Sequence, residues 1–259
     1  MSMKSPSPVA QPPAPRGGLE RLLKGAAEWL AARMGRHSPL GDQAFFPDSS
    51  FPWVRMLEDN WQEIREELDQ LLLHRQHLPN LHDISARQST LSDDENWKTY
   101  FFVGYGLKPE VNRARCPRTT QLLDQIPGLT TAFFSILGPG KRLPEHCGSY
   151  RGIIRYHLAL KIPSPSTASG IRVGGQTAHW EEGKSLIFDD TYPHEAWNST
   201  DEDRVVLFLD IIRPLSFPYS LLNRMVLKSI AWTASARDAK VMHNAWEKWF
   251  ANLHNSTQG

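Results

Sequence analysis

The sequence contains few cysteines and no long apolar run, and both absences limit the kind of protein it encodes. Only Cys116 and Cys147 occur in 259 residues, too few for a disulfide framework or a cysteine-based zinc site, so a reducing compartment is expected. No uninterrupted apolar run reaches the roughly 18 residues of a transmembrane helix, and the N-terminus lacks the apolar segment of a signal peptide. We therefore expect a cytoplasmic protein without a transmembrane anchor.

An excess of charge of one sign is also missing. The 29 lysines and arginines are balanced by 28 aspartates and glutamates, which gives a formal net charge of +1. Such a chain lacks the strong basic field on which nucleic-acid binding depends, so no nucleic-acid partner is expected. A hydrophobic content of 40% is enough for a sizeable core, and the length fits one catalytic domain with helical additions.

Four stretches of different composition follow one another along the chain. Residues 1–17 are rich in proline and serine and are predicted to be a disordered tail. Residues 18–128 are predicted to be a helical and mixed part that packs on the core, with amphipathic helices at 18–35 and 57–74. Residues 129–215 read as the β-rich core, and residues 216–259 as C-terminal helices. Asp59 or Asn60 is the expected cap of the second helix.

The core is predicted to be mainly β because short strand-like segments follow one another without intervening helices. Glycine- and proline-containing turn signals separate them. This pattern favours a sandwich or a jelly roll of the kind that cupins adopt. The predicted strands are 97–103, 130–137, 152–162, 171–173, 176–180, 185–188 and 204–212, and Pro117 is predicted to open a short helix through Ile126.

Two of these strands carry polar side chains on an otherwise apolar face. Side chains alternate along a strand. Arg155 and His157 therefore share one face of the predicted strand 152–162, and Arg204 and Asp210 share one face of the predicted strand 204–212. Burying such groups is costly without partners, and a bound dianion would supply one. If that face lines the barrel interior, the two arginines and His157 converge near His146 and His194, which are expected in loops.

Two imidazoles followed by an arginine suit a non-haem iron site beside a dicarboxylate pocket. Imidazole binds Fe(II) well, and arginine can hold a carboxylate through two parallel hydrogen bonds. The usual third ligand would be a carboxylate at position 148, where this chain has Gly148. The nearest substitutes are Asp189 and Asp190, which also suit simple turn positions, and Glu195 is a weaker one.

Each residue also has a reading without function. His146 alone would be a solvated loop histidine, and His194 alone a turn residue. Arg204 could pair with Asp203, and Arg155 and His157 could pair with Asp210. The functional interpretation depends on all of these residues occurring together in one strand-rich segment.

The chain resembles the aspartyl/asparaginyl β-hydroxylase family of iron(II)- and 2-oxoglutarate-dependent dioxygenases. The resemblance begins near Cys116-Pro117-Arg118-Thr119 and is densest from Phe134 to Leu215. Bacterial lipid A hydroxylases look like relatives through the same Arg-Tyr-His and Arg-Pro-Leu elements. The segments that carry it are Phe134–Gly140, His146-Cys147-Gly148, Arg155-Tyr156-His157-Leu158, Trp180–Gly183, Ile187–Asp190, His194–Trp197 and Arg204–Pro214.

The resemblance implies a double-stranded β-helix that hydroxylates an unactivated carbon with Fe(II), 2-oxoglutarate as cosubstrate and O₂. Carried over by position, His146 and His194 would be the iron ligands. Arg204 and Ser135 would hold the distal carboxylate of 2-oxoglutarate. The remaining pair, Arg155 and His157, would face its metal-proximal end or the substrate.

Two positions distinguish this chain within the resemblance. Gly148 matches the animal enzyme, in which water takes the place of the carboxylate ligand, rather than the His-Arg-Asp of lipid A hydroxylases. Asp189 and Asp190 are accordingly expected to have supporting roles. Ile153 replaces an arginine with which the animal enzyme helps to grip an acidic substrate side chain, and this mildly favours a substrate unlike aspartate.

The expected substrate is an aspartyl- or asparaginyl-like group or another amino-acid or peptide-like molecule, hydroxylated at its β-carbon. Two alternatives stay open: hydroxylation of a lipid acyl chain, and a cupin-like binding or sensor protein without catalysis. Peripheral contact with a membrane would suit the lipid alternative. The sequence does not determine the oligomeric state.

Overall fold

The computed structural model describes residues 33–84, 94–104 and 106–231. The predicted tail at 1–17, most of the predicted helix at 18–35 and the end of the predicted C-terminal helices lie outside these residues. Within the described ranges, no helix combines the length and the apolar character needed to cross a bilayer.

Two antiparallel sheets form the core, which is a double-stranded β-helix, or jelly roll. The larger sheet has six strands in the order β1-β8-β5-β10-β3-β2, and the smaller has four in the order β4-β9-β6-β7. From β3 onward the chain passes repeatedly from one sheet to the other. The strands are β1 Phe45–Phe46, β2 Trp97–Val103, β3 Leu129–Leu137, β4 Arg142–His146, β5 Ile153–Lys161, β6 Ser169–Val173, β7 Gln176–Ala178, β8 Ser185–Phe188, β9 His194–Asn198 and β10 Arg204–Ile212.

Five of the helices lie between β1 and β3 in the chain, and one follows β10. The bounds are α1 Val54–Asp59, α2 Trp61–Leu72, α3 Leu81–Ile84, α4 Glu110–Arg115, α5 Pro117–Leu123 and α6 Tyr219–Ala231. Helix α2 buries Ile64, Leu68 and Leu71, which recur at the three- and four-residue spacing of one helical face. This face covers the outside of the larger sheet.

The two faces of the larger sheet bury different sets of side chains. Its outer face contributes Ile154, Tyr156, Leu158 and Leu160 of β5 to a cluster that includes residues of α2. Its inner face meets the smaller sheet in a second cluster. The alternation predicted for β5 and β10 is confirmed, because the apolar sets lie outside while Arg155, His157 and Arg204 lie on the inner face. That second cluster includes Phe133, Ala159, Phe188, Val206 and Phe208 of the larger sheet with Leu143, Ile171, Val173 and Ala196 of the smaller.

Most strand predictions are confirmed, and several element predictions need correction. The strands at 97–103, 185–188 and 204–212 have the predicted bounds. The predicted helix at 57–74 is two helices that meet at Asn60. Asn60 makes no side-chain capping bond; its side-chain amide instead donates to the Met56 carbonyl at 2.7 Å. Strands β1, β4 and β9 were not predicted, and β1 and β2 extend the larger sheet to residues before 129.

Candidate active site

The two candidate metal-binding histidines lie on neighbouring strands, so the prediction that they occupy loops was wrong. His146 ends β4, His194 begins β9, and the two residues are directly paired across the smaller sheet. Their ring centroids are 4.1 Å apart with the planes inclined at 51°. Two histidines that are 48 residues apart in the sequence thus lie side by side at the end of the barrel.

Both histidine rings are held in the same way by their own backbone. Nδ1 of His146 hydrogen-bonds the Pro144 carbonyl at 2.7 Å, and Nδ1 of His194 hydrogen-bonds the Tyr192 carbonyl at 3.0 Å. A carbonyl accepts only from a protonated nitrogen, so Nε2 carries the lone pair on each ring. Burial lowers the pKa of both rings, that of His194 to about 3 with the neighbouring His146 as the next cause. Neutral imidazoles with accessible Nε2 atoms are what a metal ion requires.

The described residues supply no third ligand in a metal-binding arrangement with these histidines. No group of three or more His, Cys, Asp or Glu side chains in that part of the chain could hold a metal ion. At Gly148, a β-carbon would overlap the Asp190 carboxylate, and the Gly148 amide donates to the Asp190 carbonyl at 2.7 Å. The Asp190 carboxylate therefore fills the space into which a side chain at position 148 would project.

Asp190 is buried and forms an ion pair with Arg155, which also pairs with Asp210. Its Oδ2 lies 3.0 Å from Nη1 of Arg155, and Nε of Arg155 donates to Asp210 Oδ1 at 3.0 Å. No described residue hydrogen-bonds the buried Oδ1 of Asp190. Burial raises the pKa of Asp190 to about 6, although Arg155 acts in the opposite direction. The sequence-based pairing of Arg155 with Asp210 is correct, and it leaves Arg155 already neutralised.

Asp189 has a structural environment distinct from that of Asp190. It accepts hydrogen bonds from Arg151 at 3.1 Å and from Thr191, and it pairs with the fully buried Arg213. Glu195 pairs with Arg142 and Arg172. Neither Asp189 nor Glu195 joins the two histidines, so both are unsuited to replace the missing carboxylate ligand.

Arg204 is the buried cation of the barrel interior, and no described carboxylate pairs with it. Only 2% of its surface is exposed, and Nε and Nη1 have no hydrogen-bond acceptor among the described residues. Its guanidinium lies 4.3 Å from the centre of the Trp180 ring. The proposed pairing with Asp203 was wrong, because Asp203 binds Arg75 at 2.5 Å. Burial lowers the pKa of Arg204 to about 9, which reflects the cost of burying this charge.

A hydroxyl and an indole complete the surroundings of Arg204. Ser135 pairs with Val206, and Leu137 pairs with Arg204, so Ser135 is a diagonal neighbour of Arg204 on the inner face. The Ser135 hydroxyl accepts a hydrogen bond from Trp97 Nε1 at 3.0 Å, so its own hydrogen is available to an anion.

His157 lies between the histidine pair and Arg204. Its ring is 5.0 Å from that of Phe188 and 6.0 Å from that of Trp180, measured between centroids. The Phe188 ring is in turn 6.3 Å from that of His194. Neither ring nitrogen of His157 has a hydrogen-bond partner among the described residues. Burial lowers its pKa well below the ordinary value, with Arg204 as the next cause.

Together these groups fit a small dianion beside a divalent cation. Buried polar groups are normally hydrogen-bonded, yet this chamber concentrates unsatisfied ones at Arg204, His157, Trp180 Nε1 and Asp190. Arginine and serine donors at one end and imidazoles at the other suit a ligand with a carboxylate at its far end and metal-chelating oxygens at its near end. The residues that could hold a metal ion therefore lie near those that could hold a dicarboxylate.

Sequence reasoning identified the charged residues and missed the aromatic ones. It gave no role to Trp180, which covers the guanidinium of Arg204, or to Trp97, which orients the hydroxyl of Ser135. Trp180 belongs to a segment that carries the family resemblance, and that was the available signal. The overlap between Asp190 and position 148 left no trace in the sequence, because it depends on how two loops meet.

Comparisons with known proteins show which family the chain resembles over most of its length. A family profile described as Aspartyl/Asparaginyl beta-hydroxylase matches residues 58–214. The Rhizobium tropici protein named ornithine lipid ester-linked acyl 2-hydroxylase is 42% identical over 232 residues, 90% of this chain and 83% of that protein. The human aspartyl/asparaginyl beta-hydroxylase is 31% identical over 172 residues, 62% of this chain and 21% of the human protein.

Among solved structures, similarity to individual chains is low. The cupin domain of an XRE family transcriptional regulator from Enterobacter cloacae shares 20% identity with a TM-score of 0.27, over 31% of this chain and 79% of that chain.

Proposed function

Because the chain belongs to the aspartyl/asparaginyl beta-hydroxylase family, we propose that it is an iron(II)- and 2-oxoglutarate-dependent hydroxylase acting on a lipid acyl chain. The observation that carries the cosubstrate assignment is the buried Arg204, whose Nε and Nη1 have no acceptor among the described residues. A buried guanidinium without a carboxylate is costly, and the distal carboxylate of 2-oxoglutarate would remove that cost.

The other residues of the site would bind the metal ion, assist Arg204 or hold Asp190 in place. His146 and His194 would hold Fe(II) through Nε2, and bound iron would supply the O₂ chemistry that converts 2-oxoglutarate to succinate and CO₂ while hydroxylating a C–H bond. Ser135 would donate to the same carboxylate as Arg204. Arg155, already paired with Asp190 and Asp210, would hold the Asp190 carboxylate in place.

The aromatic side chains would exclude water from the chamber. Phe188, Phe208 and Trp180 surround His157, and their apolar surfaces leave the inner end of the site dry. The attraction between Arg204 and a carboxylate is stronger where water is absent. A dry site therefore favours binding of a cosubstrate that carries a carboxylate.

Two observations favour a lipid over an aspartyl substrate. The relative named as an ornithine lipid acyl 2-hydroxylase matches nine-tenths of this chain at 42% identity, whereas the human aspartyl hydroxylase matches 62% of it at 31%. Ile153 lies two residues before Arg155 on the inner side of β5 and supplies no second cation for an acidic substrate side chain. The leading sequence-based expectation, an aspartyl-like substrate, thus becomes the second candidate.

Replacing Arg204 tests the cosubstrate assignment. We expect Arg204→Ala to weaken 2-oxoglutarate binding to the Mn(II)-loaded protein roughly 10- to 100-fold, the loss of charge-assisted hydrogen bonds to a carboxylate, and Arg204→Lys to weaken it less. Calorimetric titration under argon measures the affinity. Arg142→Ala, on the partly exposed ion pair with Glu195, is the matched control and should bind normally. Unchanged affinity in a folded Arg204→Ala protein would refute the assignment.

The substrate is tested by product formation under air with Fe(II) and ascorbate. We expect ornithine lipid in detergent micelles to stimulate succinate release and to gain one oxygen atom by mass spectrometry. Stimulation by an aspartate-containing peptide instead would favour the second candidate. Absence of succinate with every substrate, from protein that binds Mn(II) and 2-oxoglutarate, would favour a cupin-like binding protein.

A further inference from the structure

Helix α6 presents a stripe of exposed apolar and basic side chains. Phe217 precedes the helix and is 81% exposed, while Leu221 and Met225 are 53% and 51% exposed. Arg224 and Lys228 are also exposed. Residues 221, 224, 225 and 228 recur at the spacing of one helical face. We call these five residues the α6 stripe.

The two cations of the α6 stripe, Arg224 and Lys228, have no acidic residue near them in the sequence. No Asp or Glu occurs between Asp210 and Asp238 in the sequence. Arg224 also lines a cavity of about 680 Å³, together with Arg36 and with apolar walls that include Trp53 and Ile211. Apolar surface flanked by long basic side chains matches the interface of an anionic bilayer, where apolar groups enter the acyl region and cations meet the headgroups.

The opposite face of α6 is anchored to the loop that follows His146. Asn223 is fully buried and donates to the Gly152 carbonyl at 2.8 Å, while the Tyr150 hydroxyl donates to Asn223 Oδ1 at 2.8 Å. A β-carbon at Gly152 would overlap both Asn223 and the Tyr150 ring. The stripe and the metal-binding end of the barrel are therefore connected by one closely packed contact.

We propose that the α6 stripe docks on the surface of an anionic phospholipid bilayer, with the loop at residues 147–152 on the other side of the helix, on the order of 10 Å from the lipid. The proposal rests on the proposed lipid substrate, because docking there would hold the histidine end of the barrel close to the bilayer. It commits to a lipid surface rather than a protein partner because the stripe mixes apolar side chains with cations and carries no acidic side chain.

Vesicle flotation tests the docking without depending on catalysis. We expect the protein to float with vesicles of equal parts phosphatidylglycerol and phosphatidylcholine, to float less at high salt, and to remain unbound with phosphatidylcholine alone. Combining Phe217→Ser, Leu221→Ser and Met225→Ser should weaken partitioning roughly tenfold or more. The matched control combines Leu73→Ser and Val111→Ser, at positions 69% and 41% exposed, and should float like the unmodified protein.

A fluorophore on Cys147 tests the orientation. Cys147 is exposed and Cys116 is buried, so a thiol reagent should label Cys147 selectively. We expect brominated lipids to quench this fluorophore when the protein is bound to anionic vesicles, and to quench it much less in the serine triple variant.

Several outcomes would overturn the docking proposal. Equal flotation of the triple variant and the control would place binding elsewhere. Protection of the Phe217 and Met225 side chains from hydroxyl-radical oxidation without vesicles would mean that the chain itself covers the stripe. A dimer that the triple variant converts to monomer, without loss of flotation, would assign the stripe to a second copy. Lipid-stimulated succinate release in micelles together with failed flotation would refute docking and leave the proposed function standing.

Discussion

Gly148 lies two residues after the candidate ligand His146, and Asp190 fills the space beside it. The Asp190 carboxylate takes the space of a side chain at 148 and is held there by Arg155. A carboxylate at 148 and a carboxylate at 190 thus exclude one another sterically, and their like charges would add to the conflict. The space that a side chain at position 148 would occupy is therefore filled by the Asp190 carboxylate and is not empty.

This exclusion can be measured as a coupling between the two positions. We expect Gly148→Ala to lower the free energy of unfolding by about 1–3 kcal/mol, the usual cost of overpacking. Asp190→Ala removes the overlapping carboxylate, so Gly148→Ala should cost much less in that background. Urea unfolding of the four proteins of the cycle gives the coupling. Additive effects would show that the two side chains do not compete for one space.

For individual residues, the sequence predicted which side chains face the barrel interior better than it predicted the partners of those side chains. The inward positions of Arg155, His157 and Arg204 could be predicted because strand alternation is a local rule. The partners of these residues could not, because Arg204 and Asp203 are adjacent in sequence while Asp203 binds Arg75 across the fold. Which charges remain unpaired depends on distances in the folded structure, and the spacing of residues in the sequence does not give those distances.

Strands β4 and β9 bring the histidines together, and both were missed. Strand β4 is at the edge of its sheet, contains Pro144 and buries little besides Leu143. Proline is tolerated on edge strands and lowers the strand signal of a sequence. Strand β9 is five residues long and follows directly after Pro193. The central strand β10, buried except at Ile212 and rich in Val, Leu and Ile, was predicted to the residue, and β3 and β5 were predicted to within one residue at either end.

Helix α6 stabilises the loop after His146 through Asn223. We expect Asn223→Ala to lower the free energy of unfolding by about 1–3 kcal/mol, because the Tyr150 hydroxyl loses its acceptor and the Gly152 carbonyl loses a donor. Hydrogen exchange at 147–152 should accelerate, and Mn(II) affinity should fall. Ser229→Ala on the same helix is the control, since Ser229 is exposed and should change stability by about 0.5 kcal/mol or less.

For that experiment, urea unfolding reports the stability and exchange by mass spectrometry reports the loop. Normal exchange at 147–152 in a destabilised Asn223→Ala protein would mean that the contact supports the helix alone and does not act on the loop after His146.

On the scale of the whole molecule, the two sheets bury polar groups that have no hydrogen-bond partner among the described residues. A ligand that satisfies them binds the folded chain and not the unfolded one, so it must stabilise the fold. With Mn(II) present and 2-oxoglutarate at about 100 times its Kd, we expect Tm to rise by roughly 5–10 °C. Differential scanning fluorimetry measures the shift.

Pyruvate is the matched control ligand, because it keeps the 2-oxo acid end and lacks the distal carboxylate. It should raise Tm much less than 2-oxoglutarate in the unmodified protein. In Arg204→Ala the two ligands should become nearly equivalent. An equally large shift with pyruvate in the unmodified protein would contradict a distal carboxylate site at Arg204.

The paired bonds from His146 Nδ1 to Pro144 and from His194 Nδ1 to Tyr192 have a consequence for how the site fills. Each acceptor is two residues back on the same strand or turn, so the ring orientation is set when the backbone folds. The proposed metal ion would therefore meet rings whose orientation is already set and would not have to reorganise them. Loading should consequently be fast and should leave the backbone of the barrel almost unmoved, so that affinity is governed by what occupies the remaining coordination positions.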